Sequence, residues 1–406
     1  MASPDNAHLL AINAGTSSIK FALFQSTPAR ELLFRGALSD IGTSASVFAV
    51  KGGARDSFER RFAIPDHVTA ANVLVEWLLG RLPPAALRAI AHRVVCGGPD
   101  PTATRALDAA TLAGLYAATS SESGHLPQEL HLIERLRRHY PDSAHIACFD
   151  SDFHASMPAV AATLPIPRRY QALGMKRHGF HGLSCAWLMG ELARVAGAQA
   201  AAGKVLIAHL GGGASVTAVE NGLSRDTSMG LTPAGGMMMG KRAGDLDPGL
   251  AWQLARTEQM SPASFNHMVN HQSGLLGISG TSADLRVLLA SAAHDSRAAE
   301  AVAMFCYQAR KTICAMAGAI DGVDTLIFAG AVGEHAAEVR ARVCAGLSHL
   351  GVALDAGANE AGAALISAAS GRVSVRVMRT DEEAMLADEA CAWLGAAAGR
   401  GEAGHD

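Results

Sequence analysis

Two segments of the same construction, half a chain apart, constrain the fold more than any other feature. In the first, an apolar run from Leu9 is broken by Asn13-Ala14-Gly15-Thr16-Ser17-Ser18 and resumes as Ile19-Lys20-Phe21-Ala22-Leu23-Phe24. In the second, Val205-Leu206-Ile207-Ala208 enters the turn His209-Leu210-Gly211-Gly212-Gly213-Ala214-Ser215 and leaves as Val216-Thr217-Ala218-Val219. β-type apolar residues on both sides of a Gly/Ser turn read as a hairpin. A unit of this kind opening each half predicts a duplicated architecture of two related domains facing each other. A cleft between them would be the natural ligand site. The length of 406 residues agrees, because single cores usually stop growing at roughly 250–300.

The remaining pattern alternates helices with short strands. Helical spacing covers 67–82 and 110–140, the latter interrupted around Gly124-His125-Leu126-Pro127. Segments 89–95 and 145–149 read as buried strands followed at once by polar or glycine-rich residues, which is where α/β proteins place their sites. Further on, 298–320 and 338–350 read as helices, 325–329 and 373–378 as strands, and 382–394 as a closing helix with 395–406 a frayed tail.

Composition removes several function classes. Charged residues are only 17% of the chain and the formal net charge is −3, without clustered Lys or Arg, so nothing marks a nucleic-acid partner. No apolar run reaches the 18 or so residues that a membrane span needs, and the first eight residues lack a basic, then apolar, leader. A cytoplasmic protein with small-molecule partners is the expectation. Seven scattered cysteines without a C-x-x-C pair read as reduced thiols.

Two phosphate-binding readings need to be separated. Gly235-Gly236-Met237-Met238-Met239-Gly240-Lys241 superficially matches a P-loop, but Arg242 follows where Ser or Thr must hold magnesium, and no apolar strand leads into it. The Gly/Ser hairpin turns are better candidates, since backbone N–H groups and hydroxyls can hold phosphate oxygens without a helix N-terminus. A single such loop is equally a plain tight turn. A pair, with Asn13 and Lys20 in one and His209 in the other, points towards phosphate.

On these residues the chain resembles the acetate and propionate kinase family. The matching strings are the Asn13 to Phe21 hairpin, His92-Arg93-Val94-Val95, Phe149-Asp150-Ser151-Asp152-Phe153-His154, Gly179-Phe180-His181-Gly182, Asp226-Thr227-Ser228-Met229-Gly230, Arg242-Ala243-Gly244-Asp245-Leu246-Asp247-Pro248 and Ser273-Gly274-Leu275-Leu276-Gly277-Ile278-Ser279-Gly280. The resemblance implies an α/β, duplicated ribonuclease H-like fold of the actin, sugar kinase and heat-shock ATPase type. Its two domains would be 1–150, with 383–406 packing back on it, and a nucleotide-binding 151–382. It also implies a homodimer that moves the γ-phosphoryl of ATP to and from a short-chain carboxylate, with magnesium, or manganese as an alternative.

The same resemblance assigns roles. Arg93 and Arg242 fall at the substrate carboxylate and the transferring phosphoryl, where a planar, permanently charged fork is suited to the task. His181 would stabilise transition-state oxygens. Asp150 matches the acidic residue often described as acid/base. A carboxylate substrate, with a pKa near 4, is already ionised, so Asp150 is expected instead to orient magnesium and the groups around it. Val95, His125 and Pro233 would line the substrate pocket. Asn13 and Glu382 would be the magnesium-associated residues, being oxygen ligands for a hard ion. Glu382 also reads simply as a helix N-terminal acid. The nucleotide would lie along Lys20, His209, Leu210, Gly211, Gly212 and Gly213, along Asp284, Leu285 and Arg286, and along Ala331, Val332, Gly333, Glu334 and His335.

Departures from the family's pattern occur at Cys96, Leu126, Gly212, Ala331 and His335. They bear on substrate choice and nucleotide affinity more than on reaction class. Acetate is the expected substrate. A propionate or butyrate kinase, and a nucleotide-binding paralogue without transfer activity, stay open as alternatives.

Overall fold

A computed structural model of the chain describes residues 8–15, 17–27, 30–52, 57–95, 104–119 and 126–402. The chain divides into two compact units, one running to Asp152 and rejoined by the segment from Asp381, the other spanning Phe153–Thr380.

In the first unit the opening hairpin pairs β1 (His8–Ala14) with β2 (Ile19–Gln25), Asn13 opposite Lys20. The meander continues antiparallel through β3 (Leu32–Ser39), β4 (Thr43–Gly52) and β5 (Phe58–Ile64). On its other side β1 pairs parallel with β6 (Leu87–Val94), β6 pairs parallel with β8 (Ala144–Phe149), and the short β7 (Arg105–Ala106) edges the sheet. Helix α1 (His67–Leu79) lies between β5 and β6, and α2 (Ala109–Ala118) and α3 (Leu126–His139) lie between β7 and β8, the first two capped by Asp66 and Asp108.

The second unit repeats the plan. Its sheet runs β11 (Leu223–Thr227), β10 (Ala214–Glu220), β9 (Lys204–Leu210), β12 (Thr325–Ala329), β13 (Ser374–Val377), antiparallel through the first three and parallel through the last two pairs. That order and sense match β3-β2-β1-β6-β8 of the first sheet. The duplication expected from two hairpins therefore extends to five strands in each unit.

The helix expected over 338–350 stops at Cys344, and a 3₁₀ turn (Ser348–Leu350) follows. The frayed tail expected over 395–406 is corrected in its first part: the closing helix runs Glu382–Glu402, where Ala396, Ala397 and Ala398 carry it on although Gly395, Gly399 and Gly401 each cost a helix about 1 kcal/mol. Among the described residues no helix is long and apolar enough to cross a membrane.

The first unit's core is aromatic. Phe21 is fully buried and meets Phe34, Phe48 and Trp77 with ring centroids 6.2, 6.3 and 5.5 Å away. Gly36, opposite Phe21 in the β2–β3 register, makes this ring's place: a Cβ there would lie 2.4 Å from a Phe21 ring carbon. Behind β6 and β8 sits a buried histidine pair. His145 Nε2 donates to the Tyr140 carbonyl at 3.0 Å, so its neutral Nδ1 accepts from His92 Nε2 at 3.1 Å. This leaves His92 Nδ1 a buried acceptor with no hydrogen-bond partner among the described residues. Burial holds His92 well below its ordinary pKa and pulls His145 down to about 4.

Two outcomes are expected. Gly36→Ala should destabilise the first unit by about 1–3 kcal/mol in urea unfolding, the usual cost of overpacking. Phe21→Leu should recover part of that loss when the two are combined; strict additivity would place the strain elsewhere. The histidine pair is neutral when folded and protonates near pH 6.5 when unfolded, so the unfolded state binds more protons between pH 6.5 and about 4. Stability should be complete above pH 6.5 and fall by about 1–3 kcal/mol as pH drops through that window. Urea midpoints unchanged between pH 7.5 and 5 would exclude it.

Candidate active site

Parallel strands end on one edge of their sheet, and there the first unit gathers its polar side chains. Asn13 lies near the end of β1, Arg93 near the end of β6, and Asp150 directly past β8, its amide bonded to the Val94 carbonyl at 2.9 Å. Arg93 Nη2 donates to Asp150 Oδ2 at 2.9 Å and Nη1 donates to Glu129 Oε1 at 2.9 Å and to the Ala14 carbonyl at 3.2 Å. Glu129 and Asp150 are 2% and 1% exposed. Burial works against the Arg93 charge, and the two carboxylates outweigh it and raise its pKa. Glu129, in the first turn of α3, also takes the amide of the buried Val95 on Oε2 at 3.0 Å. Asn13 Nδ2 donates to Glu382 Oε2 at 2.7 Å and to Glu383 Oε1 at 3.2 Å, both at the start of the closing helix. Burial raises the Glu383 pKa; nearby Lys20 opposes and Glu382 adds to that rise. Lys20 is exposed. His125 lies outside the described residues, as does Cys96.

The second unit builds its cluster on the second hairpin. His181 ends the loop that enters helix Gly182–Ala196 and adopts φ 60°, ψ 26°, a left-handed conformation unusual for a residue with a side chain. Its Nδ1 lies 2.9 Å from the hydroxyl of buried Ser215, and its ring stacks on His209 with centroids 4.2 Å apart. Its Nε2 faces Gly213: a Cβ built there would stand 3.3 Å from His181 Nε2 and 3.5 Å from Arg242 Nη1. Arg242 Nη1 donates to the Pro233 carbonyl at 3.1 Å. The turn closes on itself through Gly211 N to Gly213 O at 2.9 Å, and Gly240 N reaches the Gly212 carbonyl at 3.3 Å. His181, His209, the Gly211–Gly213 turn, Arg242 and Pro233 are thus one constellation.

The remaining nucleotide candidates form two other groups. Asp284 caps helix Leu285–Ser291 and holds Arg286 with both carboxylate oxygens, at 3.1 and 2.6 Å, on the surface. Residues 331–335 are a short helix, Gly330–His335, directly past β12. Gly330 has φ 74°, and a Cβ there would sit 2.6 Å from the Leu210 carbonyl, so these residues adjoin the end of β9. Ala331 and His335 are exposed, Gly333 is buried, and Val332 and Glu334 are half-buried.

Sequence reasoning did not find Glu129, Ser215 or Arg340. Arg340 is 1% exposed and holds the Gly333 and Glu334 carbonyls at 2.9 and 3.0 Å while Asn359 takes its other side. It stands in an ordinary helical pattern, so no local signal marked it. Glu129 carried one, being an acid in the first turn after a Leu-Pro helix start. Ser215 lay inside the turn already singled out.

Residues 8–388 match the acetokinase family. An acetate kinase of Rhodopseudomonas palustris (strain TIE-1) is 38% identical over 387 residues, 93% of this chain and 96% of that protein. The propionate kinase PduW of Salmonella typhimurium is 36% identical, covering 94% and 95%. The crystal structure of a propionate kinase from Francisella tularensis superposes with a TM-score of 0.86 at 30% identity, covering 94% of this chain and 98% of that one. With a family match over nearly its whole length and relatives of this similarity, the chain belongs to the acetokinase family, a family of kinases with the duplicated two-domain fold anticipated from its hairpins.

Proposed function

We infer that the protein catalyses reversible, ATP-dependent phosphorylation of acetate to acetyl phosphate. The observation that carries this reading is the convergence of His181 Nε2 and Arg242 Nη1 over the Gly213 backbone, which brings two donors to one side of a glycine turn able to hold phosphate. A carboxylate oxygen forms the new bond to phosphorus as the bond to the ADP oxygen breaks. Charge on the three equatorial oxygens is met by His181 and Arg242.

In the first unit Arg93 would take the substrate carboxylate, beside the buried Val95. Asp150 orients Arg93 through its 2.9 Å contact and has no proton to remove from an ionised acid. Magnesium fits the donor set of Asn13 and Glu382: they are hard oxygen-bearing groups, and the crowding of Glu382 and Glu383, with the Glu383 pKa raised, favours a cation there. Among the described residues no group of three or more His, Cys, Asp or Glu could hold a metal by itself, so water and phosphate would complete the shell. When bound, the ion would neutralise phosphate charge.

Propionate is the second reading, favoured by propionate kinases among relatives only slightly less similar. One methylene discriminates by only about 1–3 kcal/mol. The reading carries a cytoplasmic homodimer too; helix Pro248–Thr257 buries no residue and leaves Trp252 67% exposed, an apolar surface suited to a second copy.

A coupled assay with acetate and propionate tests the activity, and turnover with neither removes it. Arg93→Ala and Arg242→Ala should each lower kcat/KM by at least about two orders of magnitude, the scale of a lost transition-state charge partner. Folded variants with near-normal kinetics would remove that arginine from the site. Ser215→Ala should lower kcat about tenfold or more, with KM for ATP little changed, because the imidazole loses the hydroxyl that orients its ring. The loss should disappear in a His181→Ala background; an equal loss there would make Ser215 independent of the imidazole.

A further inference from the structure

Arg93 and Val95, read as the carboxylate's partner and its pocket wall, share a neighbour that the reaction does not require. Glu129 places one oxygen on Arg93 Nη1 and the other on the Val95 amide, at 2.9 and 3.0 Å. A substrate carboxylate seeking the Arg93 terminus beside Val95 would compete for these donors. Nη2 is engaged by Asp150 and Nη1 a second time by the Ala14 carbonyl, so both terminal nitrogens already carry protein partners. One guanidinium charge thus stands between two buried carboxylates, with Glu382 within electrostatic reach. A guanidinium recognises a carboxylate by presenting paired N–H groups, and here its two terminal nitrogens are shared between Glu129 and Asp150. A further carboxylate would meet like charge in a largely desolvated setting, where repulsion is strong.

We propose that Glu129 is an internal competitor for the substrate carboxylate. It sets the affinity for small carboxylates by holding the Arg93 fork and the Val95 amide, and it must yield them when the substrate binds. Orientation of Arg93 does not depend on Glu129 alone, because Asp150 and the Ala14 carbonyl hold the guanidinium from other sides. This inference rests on the assignment of Arg93 to the substrate carboxylate.

The test is steady-state kinetics of Glu129→Gln and Arg93→Ala, with acetate and propionate each varied at saturating ATP. Glutamine keeps the volume and one acceptor and removes the charge. KM for both carboxylates should fall about tenfold or more in Glu129→Gln, with kcat reduced far less than in Arg93→Ala. A KM that rises or stays unchanged overturns the competition and leaves Glu129 as an orienting contact. A normal carboxylate KM in Arg93→Ala overturns the assignment of Arg93 instead. Glu129→Asn, which withdraws the group from Arg93, replaces glutamine if that variant does not fold, with the same two outcomes.

Discussion

Strand direction decides where chemistry can sit in this chain. Each sheet changes from antiparallel to parallel pairing at its central strand, β1 in one unit and β9 in the other. From that point the carboxyl ends of neighbouring strands share an edge, and the turns leaving them come together without further design. Asn13, Arg93 and Asp150 are neighbours for this reason, although 57 residues separate the last two. So are His209 and the Gly330 turn, which the β9–β12 register places side by side. The cores under both edges are apolar, so these polar groups lie on firm support.

The two clusters handle charge in different ways. Arg93 is sunk among carboxylates, the usual condition for burying a guanidinium, and its charge is thereby partly spoken for. His181 and Arg242 are steered by a hydroxyl and by a carbonyl, which orient a donor without cancelling its charge. Arg340 is a third case, buried against carbonyl and amide oxygens at the back of helix Gly330–His335. Four of its five donors are matched by carbonyl and amide dipoles, which anchors the helix that follows β12.

Much of this was legible from residue order. Hairpins with Gly/Ser turns have a strong local signature, and both formed where the pattern placed them, as did the strands at 325–329 and 145–149. Helix ends were read less well. The helix expected to run to 350 stops at Cys344, two residues before Gly346, a glycine of the kind that commonly ends helices. Ala396, Ala397 and Ala398 continue the closing helix past Gly395, where nearness to the end had predicted fraying. Single residues of the site divide along the same line. His181 and Arg242 stand in glycine-rich strings whose composition marks them. Glu129 and Ser215 act through partners 34–36 residues away in sequence, and such pairing is a property of the fold rather than of any local pattern.

The backbone at position 181 sets one residue apart from its neighbours. A left-handed φ of 60° is native to glycine and costs other residues of order 1 kcal/mol. Gly179 and Gly182, on either side, show that the loop has glycine to spare. The hydrogen bond to Ser215 and the stack on His209 offset that cost, so the imidazole is held by its neighbours in a conformation that its own backbone opposes. A descendant of this chain freed from turnover would have its histidine kept only by those two contacts, and a glycine there would trade them for an unstrained backbone at little net change in stability.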